Sequence, residues 1–122
     1  MKLINLSKGK VISSEITLAS SFFGRLKGLM FTFRARDLIL VSHFPSISSA
    51  TIHMLFMFYP LDVIWLDENK RVVDIQKNIP PFNPMKPKTW RIYSPKKPAK
   101  YVVELGRGKS NGVEIGDLLA FR

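Results

Sequence analysis

The sequence predicts a mainly β fold of the β-rich α+β class: a compact, partly closed antiparallel sheet or barrel of about seven or eight short strands with one or two short helices. Short runs of β-branched and apolar residues recur along the chain and are separated by turn residues. The sequence lacks the alternating strand–helix rhythm of a parallel doubly wound sheet. Its length of 122 residues is that of one domain, so we expect a single domain over residues 1–122.

The first quarter of the chain predicts a hairpin followed by a short helix. The segments Lys2–Leu6 and Lys10–Leu18 are rich in β-branched and apolar residues, and Ser7–Gly9 between them includes a glycine suited to a tight turn. Ser20 or the next serine can cap a helix that runs to about Leu29.

The middle of the chain carries the strongest strand signal. The predicted strands are Leu38–His43, Thr51–Phe58, Leu61–Leu66 and Arg71–Gln76. Between them we expect a loop at Pro45–Ser49, a break at Pro60 and a polar turn at Asp67–Lys70. In that turn Asn69 tolerates a left-handed conformation.

The last third of the chain begins with a proline-rich segment. Residues Ile79–Pro98 hold six of the eight prolines, which predicts an extended surface segment with at most a brief strand at Arg91–Tyr93. The alternating run Lys100–Leu105 then predicts a sheet strand, and Lys109–Gly112 a turn. The final predicted strand is Leu118–Phe121.

Several function classes are disfavoured by composition. The absence of cysteine removes disulfides, thiol nucleophiles and cysteine metal sites. The two histidines, His43 and His53, lack metal-ligand spacing, so we predict neither a metal site nor a cofactor. With no signal-peptide pattern and no apolar run long enough to span a membrane, we expect a cytoplasmic protein. Abundant lysine and short loops would suit a thermophile.

Positive charge is the strongest compositional signal. The chain has 19 Lys and Arg against 9 Asp and Glu, a formal charge of +10, which attracts nucleic acid or another polyanion. The segment Lys77–Lys100 holds seven basic residues and no acidic one, with aromatic residues interleaved. Such a pattern is typical of single-stranded nucleic-acid sites, although a solvated loop pinned by its aromatics would look the same. The candidate nucleic-acid residues are Lys86, Lys88, Trp90, Arg91, Tyr93, Lys96 and Lys97.

Four segments together resemble one known family. They are Gly24–Phe31, Ile52–Asp67, Pro98–Leu105 and Gly112–Asp117. In order and spacing they are similar to domain of unknown function 192, a family found across bacteria and archaea. The resemblance runs from about residue 20 to the end of the chain. It implies a small β-rich fold and no assigned biochemical activity.

The chain departs from the family pattern at one point. Many members carry a Lys-Asn pair between the methionine and the Pro-Leu-Asp segment, where this chain has Leu55 and Phe56. If that pair lines a polar site elsewhere in the family, this protein lacks it. Chemistry that depends on those polar groups is therefore not carried over.

Asp62 is the most informative single carboxylate. It lies between two apolar strands, where an unpaired charge would be costly. Arg25 is the candidate partner because both residues belong to family-like segments. Asp62 then either fixes the hairpin or contacts a ligand, and as a general base it could serve a small hydrolase or lyase.

Three functions remain open on the sequence alone. The first is a non-catalytic binding or accessory domain with an apolar pocket or groove near Met54–Asp62, rimmed by the proline-rich segment. The candidate pocket residues are Arg25, His53, Met54, Phe56 and Asp62. The second is RNA or single-stranded DNA binding through residues 77–100, and the third is the small hydrolase or lyase.

Overall fold

The fold contains two packed β-sheets and a short two-stranded ribbon. The computed structural model describes residues 1–20, 37–46, 52–53, 60–81, 83, 85–89 and 92–122. The strands within them are β1 Leu3–Asn5, β2 Lys10–Ser13, β3 Thr17–Ser20, β4 Leu38–Ser46, β5 Ile52–His53, β6 Leu61–Leu66, β7 Val72–Ile79, β8 Ile92–Tyr93, β9 Ala99–Gly106 and β10 Leu119–Phe121. One turn of 3-10 helix spans Pro87–Thr89.

The larger sheet has the strand order β3-β4-β9-β6-β7, the smaller one β10-β1-β2, and the ribbon pairs β5 with β8. Among the described strands, all pairs are antiparallel except β3 with β4, which run parallel. Strand β6 is buried at all six positions. A strand buried throughout needs protein on both faces of its sheet, which explains why every residue of β6 except Asp62 is apolar.

Two hydrophobic cores cover the two faces of the larger sheet. In one core Leu3 and Leu119 of the smaller sheet pack against Ile39, Ile64 and Val103 of the larger sheet. On the opposite face Leu38, Val63, Trp65 and Val102 form a second core with Tyr93 of β8. Successive residues of β4, β6 and β9 alternate between the cores because side chains of a strand point to opposite faces.

The predicted β-rich class is confirmed, and in the described part of the chain the two sheets are not closed into a barrel. The opening hairpin forms as β1 and β2, with Gly9 at φ 64°. Strand Leu61–Leu66 and the brief strand ending at Tyr93 also form where they were predicted. The predicted helix ending near Leu29 lies outside the described residues, as do residues 51 and 54–58 of the predicted strand Thr51–Phe58.

Three local predictions are wrong. Lys10–Leu18 is two strands rather than one, because a bend at residues 14–15 sends β2 and β3 into different sheets. Strand β4 continues to Ser46, into the predicted loop. In the turn after β6 the left-handed residue is Lys70, at φ 66°, instead of Asn69. There the Asp67 carboxylate accepts the Asn69 and Arg71 amides and shapes the turn around Lys70.

Among the described residues, no helix has the length and apolar character needed to cross a bilayer.

Candidate functional site

Asp62 is a buried carboxylate that joins three parts of the chain. Its Oδ1 accepts the backbone amide of Asn78 at 2.9 Å. Its Oδ2 accepts the amide of Gly108 at 3.0 Å and both the amide and the hydroxyl of Ser110, at 3.1 Å and 2.5 Å. Asn78 lies in a β-bulge, at φ 54°, where two residues of β7 face Asp62. Asp62 thus holds this bulge and the loop after β9 in place.

These hydrogen bonds also determine the ionisation of Asp62. Burial alone would raise its pKa, because an apolar surrounding disfavours the charged form. The Ser110 hydroxyl and the amides of Asn78, Ser110 and Gly108 outweigh burial and hold the pKa below its ordinary value. A carboxylate with a lowered pKa and four donors on its two oxygens is a weak proton acceptor at neutral pH.

The loop after β9, here called the glycine loop, spans Gly106 to Gly112 and has the sequence GRGKSNG. Its other anchor is Asp37, which accepts the Gly106 amide at 3.2 Å and the Lys109 ammonium at 2.7 Å. The Ser13 hydroxyl donates to the same carboxylate at 2.5 Å. Glycine, lysine and serine at this spacing could cradle a phosphate. In this structure the amides of Gly106, Gly108 and Ser110 instead bind the carboxylates of Asp37 and Asp62.

Asp117 joins the two ends of the chain. Its Oδ2 accepts the Lys8 ammonium at 2.7 Å, the Asn5 amide group at 2.9 Å and the Glu114 backbone amide at 2.9 Å. The hydrogen bond from the Lys8 ammonium is the largest cause of the lowered pKa of Asp117. Burial opposes this shift, and the pKa falls to about 2. The same pairing raises the pKa of Lys8. This cluster ties the β1–β2 turn to the segment before β10.

Asp74 connects the basic segment to the larger sheet. Its carboxylate is buried on edge strand β7, where Oδ1 accepts the Ile75 amide at 2.8 Å. Its Oδ2 accepts the backbone amide of Lys96 at 3.0 Å. The residues around Lys96 therefore run beside β7, on which Lys77 is also exposed.

Most of the acidic side chains are buried, and two of them, Asp117 and Asp37, form ion pairs with Lys8 and Lys109. Five of the nine acidic residues are buried: Asp37, Asp62, Asp74, Glu104 and Asp117. The other four lie in turns or loops at residues 15, 67, 68 and 114. No acidic residue occurs between Asp74 and Glu104, and both of these are inside the protein. The surface of residues 75–103 therefore carries lysines with no acidic residue of its own segment beside them.

The predicted nucleic-acid residues occupy different environments. Lys86, Lys88, Lys96 and Lys97 are exposed. Tyr93 is only 7% exposed and belongs to a hydrophobic core, so its ring has no open face on which a base could stack. The predicted contact of Tyr93 with a base therefore has no support in the structure.

Several predicted site residues lie outside the described residues: Arg25, Met54, Phe56, Trp90 and Arg91. The structure describes the backbone of His53, which pairs with Ile92 in the two-stranded ribbon. No group of three or more His, Cys, Asp or Glu residues able to hold a metal occurs within the described part of the chain.

Sequence reasoning missed one group of residues on the surface. The rings of Tyr101 and Phe121 meet edge to face, with centroids 5.3 Å apart and an interplanar angle of 67°. The Lys70 ammonium lies 4.5 Å from the Phe121 centroid, and the Lys100 ammonium 5.8 Å from the Tyr101 centroid. The adjacent Lys100 and Tyr101 were the only local signal, because the other two residues come from distant turns and strands.

The fold and these contacts define a small two-sheet β protein whose buried aspartates anchor its loops and whose surface is strongly basic. The sequence profile of domain of unknown function 192, described as Uncharacterized ACR, matches residues 3–121. The chain belongs to this family, which confirms the resemblance seen in its four sequence segments.

Individual relatives agree with this assignment and carry no assigned activity in their names. The chain is 42% identical to a UPF0127 protein of Pyrococcus furiosus over 96% of this chain and 95% of the relative. It is 38% identical to a UPF0127 protein of Thermococcus kodakarensis over 98% of this chain and 72% of the relative. The crystal structure of a protein of unknown function from Novosphingobium aromaticivorans superposes with a TM-score of 0.76 at 26% identity, covering 98% of this chain and 82% of that one.

Proposed function

We propose that this protein is a non-catalytic binding domain for a single-stranded nucleic acid, RNA or DNA. The observation that carries the proposal is a set of exposed lysines without ion pairs. Lys88, Lys96 and Lys97 are exposed and make no ion pair with any described residue. All nine acidic residues of the chain are among the described residues, so these ammonium groups are available to phosphates.

The fold supports this proposal by bringing Lys77, Lys96 and Lys97 to one edge of the larger sheet. The Lys96 amide is bound to Asp74, and Lys77 follows three residues later on the same strand. At about 3.3 Å per residue, Lys77 lies roughly 10 Å along the strand from Asp74. Lys77, Lys96 and Lys97 therefore fall within the span of a few nucleotides.

The chemistry of Asp62 favours binding over catalysis. A general base near neutral pH needs a raised pKa and an open approach to its substrate. Asp62 is 1% exposed, and its four hydrogen bonds hold its pKa low. These properties support the structural role of Asp62, and the hydrolase or lyase hypothesis stays a prediction without geometric support. The apolar pocket around Met54 and Phe56 also stays a prediction, since those residues lie outside the described part.

The test is fluorescence anisotropy with labelled single-stranded RNA and DNA across a salt series. Each phosphate contact to a single strand contributes about 0.7 to the slope of log affinity against log salt. The double variant Lys96→Gln, Lys97→Gln is therefore expected to reduce that slope by about 1.4 and to weaken binding. The control, Lys10→Gln with Arg107→Gln, removes the same charge from two exposed positions elsewhere. It is expected to leave the slope nearly unchanged.

Two results would overturn the proposal. Equal loss of affinity in both double variants would show that net charge alone attracts the oligonucleotide. Binding by the unmodified protein that disappears near 0.15 M salt would likewise identify a generic polycation effect, because the Debye length there is about 8 Å.

A further inference from the structure

The surface group formed by Lys70, Lys100, Tyr101 and Phe121 is here called the aromatic–lysine cluster. Both rings are half-buried, and each has an ammonium group over its ring. Their buried parts pack against the core between the two sheets. Aromatic rings that are held rigidly, with cations beside them, offer both a surface on which nucleobases can stack and positive charges that can contact phosphates.

Main-chain hydrogen bonds hold the cluster together. Tyr101 pairs with Leu66 at the end of β6, directly before the turn that carries Lys70. The Lys70 carbonyl accepts the amide of Leu119, which places the turn beside the strand of Phe121. The rings therefore stand on rigid strands, whereas the ammonium groups are carried by flexible four-carbon side chains.

The charges around the cluster favour an anionic ligand. Arg71 and Arg122 follow Lys70 and Phe121 directly in sequence, and both are exposed. The nearby acidic residues in sequence are Asp67 and Glu68 of the same turn, and the Asp67 carboxylate is bound to two turn amides. The local balance is thus positive, with Glu68 as the exposed acidic side chain of the turn.

We propose that the aromatic–lysine cluster is the base-stacking site of the single-stranded nucleic acid, an inference that rests on the proposed function. A base stacks on the ring of Phe121 or Tyr101 in the place that a lysine ammonium now covers. The displaced ammonium of Lys70 or Lys100 then contacts a phosphate of the same strand. No covalent step is involved.

The test compares two oligomers of equal length and charge, an oligodeoxythymidine and an abasic oligomer of about 12 nucleotides, within the site sizes known for single-strand binders. Phosphate contacts act on both oligomers, whereas stacking acts only on the first. The unmodified protein is expected to bind oligodeoxythymidine about tenfold more tightly, the factor that a stacking contact of ordinary strength provides. Phe121→Leu or Tyr101→Leu is expected to bring the ratio close to one and to leave the abasic affinity unchanged.

A second variant keeps the proposal testable if the leucine variants fail to fold. Lys70→Met retains the ring and removes one ammonium, so the oligomer ratio should persist while the salt slope falls by about 0.7. Loss of the ratio in this variant would assign the preference to the ammonium and overturn stacking. Equal affinity of the unmodified protein for both oligomers would also overturn stacking, and would leave the proposed function standing. Failure to bind either oligomer would refute both proposals.

Discussion

Replacing Asp62 by asparagine tests the structural role of this carboxylate most directly. The change keeps the size of the side chain and removes its charge. An amide has one acceptor oxygen, whereas the carboxylate uses both of its oxygens for four hydrogen bonds. The best orientation places the new amide oxygen toward Gly108 and Ser110, and its NH2 group then faces the amide of Asn78.

The expected cost follows from these contacts. An unsatisfied amide at Asn78 costs about 1–3 kcal/mol, and each of the three remaining hydrogen bonds loses about 1 kcal/mol when its acceptor becomes neutral. Relief from burying a charge offsets part of this loss. We therefore expect Asp62→Asn to lower the free energy of unfolding by about 2–4 kcal/mol, a large share of the total for a domain of this size.

The measurement is urea or guanidinium unfolding followed by tryptophan fluorescence, to which the fully buried Trp65 contributes. The matched control is Asp67→Asn. Asp67 is less buried and accepts both of its amides at Oδ1, at 2.9 Å and 3.0 Å, so asparagine can retain both bonds. The control is expected to cost less than about 1 kcal/mol. An Asp62→Asn protein as stable as the control would refute the assignment of Asp62 as the anchor of the glycine loop.

Two further predictions concern acid stability and the glycine loop. Asp117 has a folded-state pKa of about 2 against an ordinary 3.8, so its stabilising contribution is complete above about pH 4 and disappears as the pH falls toward 2. Asp117→Asn should flatten the pH dependence of unfolding midpoints in that window, and identical profiles would contradict the role of its pairing with Lys8. Gly112 has φ 85° and open space where an alanine Cβ would lie, so Gly112→Ala should cost about 1 kcal/mol through backbone strain alone. Gly106→Ala is the control, because its φ is not in the left-handed region and the new Cβ meets Lys109 at an ordinary 3.6 Å; equal costs in denaturant unfolding would refute this reasoning.

Elements with a local signature could be predicted from the sequence. Strand Leu61–Leu66 forms as predicted because a short apolar run, interrupted only by Asp62 and bounded by turn residues, favours a buried strand. The hairpin at Gly9 forms because glycine adopts the left-handed turn conformation at little cost. By contrast, the split of Lys10–Leu18 depends on which sheet each half joins, and periodicity does not encode that choice.

The candidate site was less predictable because its partners are distant in sequence. The cost of burying Asp62 correctly indicated that it needs partners. Its donors in the glycine loop lie 46 and 48 residues away and are mostly backbone amides, which every residue except proline possesses. Residue type therefore could not identify them. The contact of Tyr101 with Phe121 likewise joins two different sheets.

The buried aspartates link the stability of this fold to its surface charge. One carboxylate can accept several backbone amides, so an aspartate inside a loop satisfies donors that would otherwise be buried without partners. Asp62 and Asp74 are used in this way and form no ion pair with a described lysine, whereas two other buried aspartates do. Lys8 and Lys109 are paired with Asp117 and Asp37, while Lys96 and Lys97 are not paired with any described acidic residue. The net charge of +10 therefore does not show where the unpaired lysines lie on the surface. Charge-matched variants at different positions are needed to distinguish a specific binding surface from general electrostatic attraction.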